Sequence, residues 1–184
     1  GCPAPFATLG SRLGIARLAE SFTAWGLTDA PALEIPTVAA PWEAASADSV
    51  REAIGQGDLL VTPLHMVSVA AIVGNGGVHT PLRLLNAPLS GCVSPNASTY
   101  RVTTSAIAAR ILDLWPRYEN VVGHRGEALA GPNRTQTWFI GLNSPQVPRY
   151  AVAVLIENVF DRQIPVQIGQ HLLSQAVNPS IGGP

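Results

Sequence analysis

Apolar positions recur at helical spacing over residues 6–14 and again over residues 15–25, each run closing on a glycine, Gly14 and Gly26. Glycine accepts the left-handed conformation in which helices stop, so the pattern predicts two short consecutive helices. Residues 28–46 carry Pro31, Pro36 and Pro41 without sustained periodicity, and predict an ordered surface loop. Ser49 opens an amphipathic turn through Ile54, which Gly55-Gln-Gly57 breaks. Thr62 can cap free amides and Pro63 fits the first helical position, so a helix starts there. Its residues from Leu64 to Val73 are apolar nearly all round, which predicts the most buried helix of the chain.

Beyond Gly77, residues 81–85 read as a short strand and residues 88–96 as turn-rich. Thr104 caps a helix whose Ile107, Ile111 and Leu114 form one stripe, and Pro116 ends it. Three extended segments follow, at residues 120–129, 135–142 and 150–157. The turn-forming clusters Gly131-Pro-Asn133 and Asn143-Ser-Pro145 join them, which suits an antiparallel meander. A last helix runs from Pro165 to Ala176. Helices, an antiparallel sheet and a C-terminal helix make an α+β chain.

Length and composition narrow the classes. The 184 residues suit a single domain, residues 1–184, with a real core. A chain 47% hydrophobic and 12% charged, of net charge −1, lacks the basic face that nucleic-acid binding requires, so no nucleic acid is expected. The apolar run at residues 59–73 is interrupted by Pro63 and His65 and is shorter than the roughly 18 residues a bilayer demands, so no membrane segment is expected within the chain. Two cysteines, Cys2 and Cys92, are too few for a thiolate metal site. His65, His79, His124 and His171 lack ligand spacing, and neither metal nor cofactor is expected. His65, on an apolar helix, reads as a satisfied core histidine, and His79 and His171 as surface residues. Trp138, Phe139 and Tyr150 read as aromatics that pack the sheet. No Gly-x-Ser-x-Gly elbow arranges a hydrolase triad.

All eleven basic residues are arginine; the chain contains no lysine. That absence bears on four blocks of sequence. Phe6-Ala-Thr-Leu-Gly10 with Leu13-Gly14, Phe22 and Gly26 is the first. Ile54-Gly-Gln-Gly-Asp-Leu-Leu-Val-Thr-Pro-Leu-His-Met66 with Asn75-Gly-Gly77 is the second. Val121-Val-Gly-His-Arg-Gly-Glu-Ala128 and the segment from Trp138 to Asn158 complete the series. In this order the blocks resemble penicillin-binding-protein transpeptidase domains, over roughly the last half of that domain. The resemblance implies part of the β-lactamase/transpeptidase-like fold, work in peptidoglycan synthesis outside the cytoplasmic membrane, and a membrane-anchored parent protein.

The family uses a serine nucleophile with a lysine one turn later, a Ser-x-Asn, and a Lys-Thr-Gly strand that binds the substrate carboxylate. The first element is expected upstream of Gly1. The second falls on Gly1-Cys2-Pro3, and Ser94-Pro-Asn96 spells it only out of family order. The third has become His124-Arg125-Gly126, with Glu127 where threonine is usual and its carboxylate opposed to an anionic ligand. Arg125 is the candidate carboxylate holder through paired hydrogen bonds, against the plainer reading of an edge charge paired with Glu127 or Glu119. No catalytic residue is expected, and the chain reads as a non-catalytic structural or interaction module with weak binding of peptidoglycan peptides. The alternative is the C-terminal part of a diverged D,D-transpeptidase whose nucleophile lies upstream. In the family the nucleophile helix covers the sheet. Residues 64–73 and 150–156 stay strongly apolar without it, so a homodimer or a separate partner chain is expected to cover the exposed sheet.

Overall fold

The computed structural model describes residues 2–84, 98–132 and 134–177. The chain divides into two compact units, Gly1–His65 with Pro81–Ala97, and Met66–Thr80 with Ser98–Pro184. The turn-rich stretch expected at residues 88–96, and with it Ser94-Pro-Asn96 and Cys92, lies outside the described residues.

In the first unit, α1 (Ala4–Ala24) is two helices merged across a kink at Gly14, whose φ of 72° no helical residue adopts. The two-helix expectation holds for that reason. A one-turn 3-10 segment, Ala44–Ser46, precedes α2 (Ser49–Ala53). The Asp48 carboxylate caps α2 by accepting the Val50 and Arg51 amides. The proline-rich stretch before it is an ordered loop, with Trp42 against Phe22 edge to face at 5.8 Å. The strand expected at residues 81–85 does not form in its described part. Pro81 has no amide to offer a ladder, and the Leu84 amide donates instead to the Glu34 carboxylate at 2.9 Å.

Helix α3 (Pro63–Gly74) begins in the first unit and continues into the second. Of its residues only Pro63 is exposed. In the second unit a two-residue ladder that the hydrophobic pattern does not reveal pairs β1 (Val78–His79) with β2 (Tyr100–Arg101). Helix α4 (Ser105–Leu114) starts where the Thr104 hydroxyl accepts the Ile107 amide at 3.2 Å. The main sheet is a meander in the order β3-β4-β5-β6, with β3 at Arg117–Tyr118, β4 at Val121–Leu129, β5 at Thr135–Leu142 and β6 at Ala151–Glu157. Helix α5 (Ile164–Val177) closes the unit.

The alternation of side chains across these strands builds two cores. On one face Val121, Phe139 and Val154 pack with Val166 and Leu173 of α5. On the other, Val122, Ile140 and Leu142 pack with Ala70 of α3, joined by Leu112 and Trp115. Phe139, fully buried, fixes how closely α5 sits on the sheet. A Cβ on Gly123, Gly141 or Gly169 would collide with its ring, so three glycines on β4, β5 and α5 form its slot. Tyr150 departs from the expectation: it precedes β6 and is 44% exposed.

Candidate functional site

The loop-to-helix block around Gly55-Gln-Gly57 is organised by two buried polar side chains of the first unit. Glu52 Oε1 accepts hydrogen bonds from Trp42 Nε1 at 3.0 Å and from the Asp58 and Leu59 amides at 2.8 and 3.3 Å. This carboxylate lies so close to Gly57 that a Cβ there would strike it. His65 does equivalent work at the start of α3. Its amide donates to Thr62 Oγ1 at 3.3 Å, while its Nδ1 accepts the Thr62 amide at 3.0 Å. That reciprocal pair is a capping box with histidine where glutamate or glutamine is usual. Its Nε2 donates to the Asp29 carbonyl at 2.9 Å, so both partners demand the neutral Nε2–H tautomer. His65 is the satisfied core histidine that its apolar helix predicts.

The strand carrying His124, Arg125 and Gly126 is covered along its outer edge by β3 only at Val121 and Val122. From His124 to Leu129 it pairs on its inner side alone, with β5. Register divides the candidates between faces. His124 and Gly126 stand opposite Ile140 and Trp138, whereas Arg125 and Glu127 stand opposite Phe139 and Thr137, on the side of α5. All three candidate residues are exposed, and His124 and Arg125 cannot close on a single ligand group from one side.

Charge along this edge differs from the sequence-based expectation. Glu127 forms an ion pair with Arg162, just before α5, and so is neither a free repulsive carboxylate nor the partner of Arg125. Because Arg162 is half exposed, the pair contributes at most about 1 kcal/mol to stability, but it cancels the local negative charge. Although His124 is open to solvent on one side, desolvation lowers its pKa below 6.5, and the adjacent Arg125 guanidinium lowers it further. At neutral pH the position is therefore uncharged.

Among the other histidines, His171 is exposed, as expected. His79 is half buried, stacked on Tyr100 at 4.7 Å, because β1 and β2 bring the two rings together. Its Nδ1 has no hydrogen-bond partner among the described residues. Among the described residues no group of three or more His, Cys, Asp or Glu side chains converges as metal ligands, and no helix is long and apolar enough to cross a membrane.

The fold of the chain, with its four-stranded antiparallel meander between α5 on one face and α3 on the other, superposes on solved transpeptidase-type domains. The chain is a relative of the penicillin-binding-protein transpeptidase domains in sequence and in fold. It is 31% identical over 187 residues to the peptidoglycan D,D-transpeptidase PbpA of Mycobacterium tuberculosis, a match covering 88% of this chain and 38% of that protein. The PbpA of Mycolicibacterium smegmatis is likewise 31% identical, over 193 residues. Among solved structures, penicillin-binding protein A from M. tuberculosis in its imipenem acyl-enzyme complex superposes with a TM-score of 0.78 at 28% identity. That superposition covers 96% of this chain and 45% of the other. The D,D-transpeptidase domain of a peptidoglycan glycosyltransferase from Eggerthella lenta, at a TM-score of 0.83 and 18% identity, shares the fold. No family model matches the chain. The chain thus spans about 38% of the length of the curated relatives it matches.

Proposed function

We propose that this chain is a penicillin-binding-protein-like domain that does not itself catalyse transpeptidation and acts as a structural or interaction module in peptidoglycan synthesis, outside the cytoplasmic membrane. One observation carries the reading. Serine acylation in this fold depends on lysine, the chain has none, and His124, neutral at pH 7, stands in the strand position where the family carries one. Incubation with a fluorescent penicillin followed by denaturing electrophoresis should leave the chain unlabelled. A stoichiometric band that survives boiling would overturn the proposal.

Within that reading, the edge at His124, Arg125 and Gly126 keeps a weak affinity for peptides ending in a carboxylate. Arg125 supplies the paired hydrogen bonds, and the Glu127–Arg162 pair removes most of the repulsion a free carboxylate would add. A single exposed charge contributes about 1 kcal/mol, so binding is no tighter than about millimolar. Calorimetric titration of a D-alanine-ended peptide should show binding to the native chain about five-fold tighter than to Arg125→Ala, and equal affinities would remove Arg125 from the site.

A second reading is favoured by the coverage of its relatives. Because the chain spans only part of each D,D-transpeptidase it matches, it also fits the C-terminal part of a diverged, membrane-anchored enzyme with its nucleophile upstream. A Ser-x-x-Lys encoded before Gly1 would decide for this reading, and its absence for the first. A homodimer or a covering partner chain accompanies either reading, but not on the face first expected. Residues 64–73 and 151–156 are buried or half-buried, and what is left for association is exposed apolar side chains such as Leu129, Phe160 and Leu172. Light scattering coupled to size exclusion should then show a dimer at micromolar concentration, and a clean monomer that binds no hydrophobic dye would exclude it.

A further inference from the structure

The second unit holds a cavity of about 450 Å³ at the end of the sheet where β4 begins, set apart along that strand from His124–Gly126. Its volume lies in the range of small-molecule sites. Buried Val121 and Leu173 give it an apolar floor, together with Val177. Around that floor stand Arg117 and Glu119 from β3 and the turn after it, Asn120, the β5–β6 turn from Asn143 to Gln146, and Ser174 of α5.

Several of these polar groups are held in place while their hydrogen-bonding capacity stays unspent. Asn143 Oδ1 accepts the Arg149 and Tyr150 amides, both at 2.8 Å, which fixes the side chain and leaves its NH2 as a donor. Gln146 Oε1 accepts from the Ser144 hydroxyl at 3.3 Å, leaving its NH2 likewise. Among the described residues, Arg117, Glu119, Asn120 and Ser174 have no side-chain hydrogen bond or ion pair. Glu119 also takes a φ of 55°, a left-handed conformation costly for glutamate, yet it keeps a carboxylate at the rim.

The chemistry of the lining selects among ligands. Arg117 and Glu119 cancel in charge, so neither an anion nor a cation is favoured. The rim is too polar for an apolar ligand, and fixed amide donors beside carboxylate, carboxamide and hydroxyl acceptors match a dense set of hydroxyls. Sugar rings also present an apolar C–H face, which Val177, 49% exposed, and half-buried Pro145 accept above the buried Val121 and Leu173. We propose that this cavity is a binding site for a neutral saccharide, a proposal that does not depend on the transpeptidase-like reading of the β4 edge.

The test is a titration of the full chain with N,N′-diacetylchitobiose, followed by amide chemical shifts. Saturable shifts are expected at Asn120, Ser144 and Ser174, with His124–Gly126 unmoved, and Ser174→Ala and Gln146→Ala should each weaken binding several-fold. Glu119→Gly supplies a readout that a merely structural role would not produce. It relaxes the left-handed backbone and should raise the melting temperature while lowering affinity for the sugar. The proposal is overturned if the disaccharide gives no saturable shift, if free alanine shifts the same amides equally well, or if Glu119→Gly binds as tightly as the native chain.

Discussion

His65 shows how one substitution can preserve a local structure while changing its chemistry. A capping box asks for a side chain that reaches back to the first amide of the helix, and the Nδ1 of histidine does so as glutamine would. Histidine adds a bond to the Asp29 carbonyl through Nε2. His65→Gln should therefore lose about 1 kcal/mol, since one bond goes and the cap stays. His65→Ala strands a buried amide and a carbonyl and should cost about 2–4 kcal/mol. Urea denaturation of both variants checks the order; equal losses would mean that the cap carries no weight, and no loss in His65→Gln would mean that the Asp29 bond carries none. His124 sets a second expectation at this scale. Its folded pKa is lowered, so the unfolded chain takes up a proton first as pH falls. Its contribution to stability is complete above about 6.5 and is lost as pH drops below that value toward the folded pKa. The imidazole proton resonances should titrate with a midpoint below 6.5, and a midpoint above it would contradict the desolvated placement.

At the level of elements, α5 and the sheet meet through Phe139. Alanine is about 1 kcal/mol better than glycine inside a helix, so Gly169→Ala on an open helix would stabilise. Here the new Cβ would enter the space of a fully buried ring that Gly123 and Gly141 confine from the strand side. Overpacking of this kind costs about 1–3 kcal/mol, and it outweighs the propensity gain. Gly169→Ala should lower stability, and Phe139→Leu in the same chain should recover part of the loss; additive effects in the double-mutant cycle would show that the two do not touch. Much at this scale was legible in the sequence. Thr104, Thr62-Pro63 and Gly14 marked helix ends through local chemistry, and strand alternation marked β4, β5 and β6. The ladder of β1 with β2 was not legible, because each strand is two residues long and its pairing spans more than twenty positions. Residues 81–84 misled because apolar content suggested a strand where Pro81 offers no donor.

For the molecule as a whole, the family could be read from the order of four motif blocks, since each records a physical need: a close approach of Ser49 and Ala53 at Gly10, a cap at His65, and a ring slot to which Gly123 and Gly141 each contribute. The charge balance of the candidate edge could not. Glu127 finds its partner in Arg162, thirty-five positions away, through the packing of α5 on the sheet. That His124 and Arg125 stand on opposite faces follows from strand alternation alone, but which of the two lies on the side of α5 is not known until the register of β4 on β5 is. The central claim is that the chain keeps the frame of this strand without the chemistry that acylates. Intact-protein mass spectrometry after incubation with imipenem tests it most directly, on the native chain and on His124→Lys. Both should retain their unmodified masses, because restoring a cation to the strand supplies no activated nucleophile. A stoichiometric imipenem adduct on either protein would contradict the account.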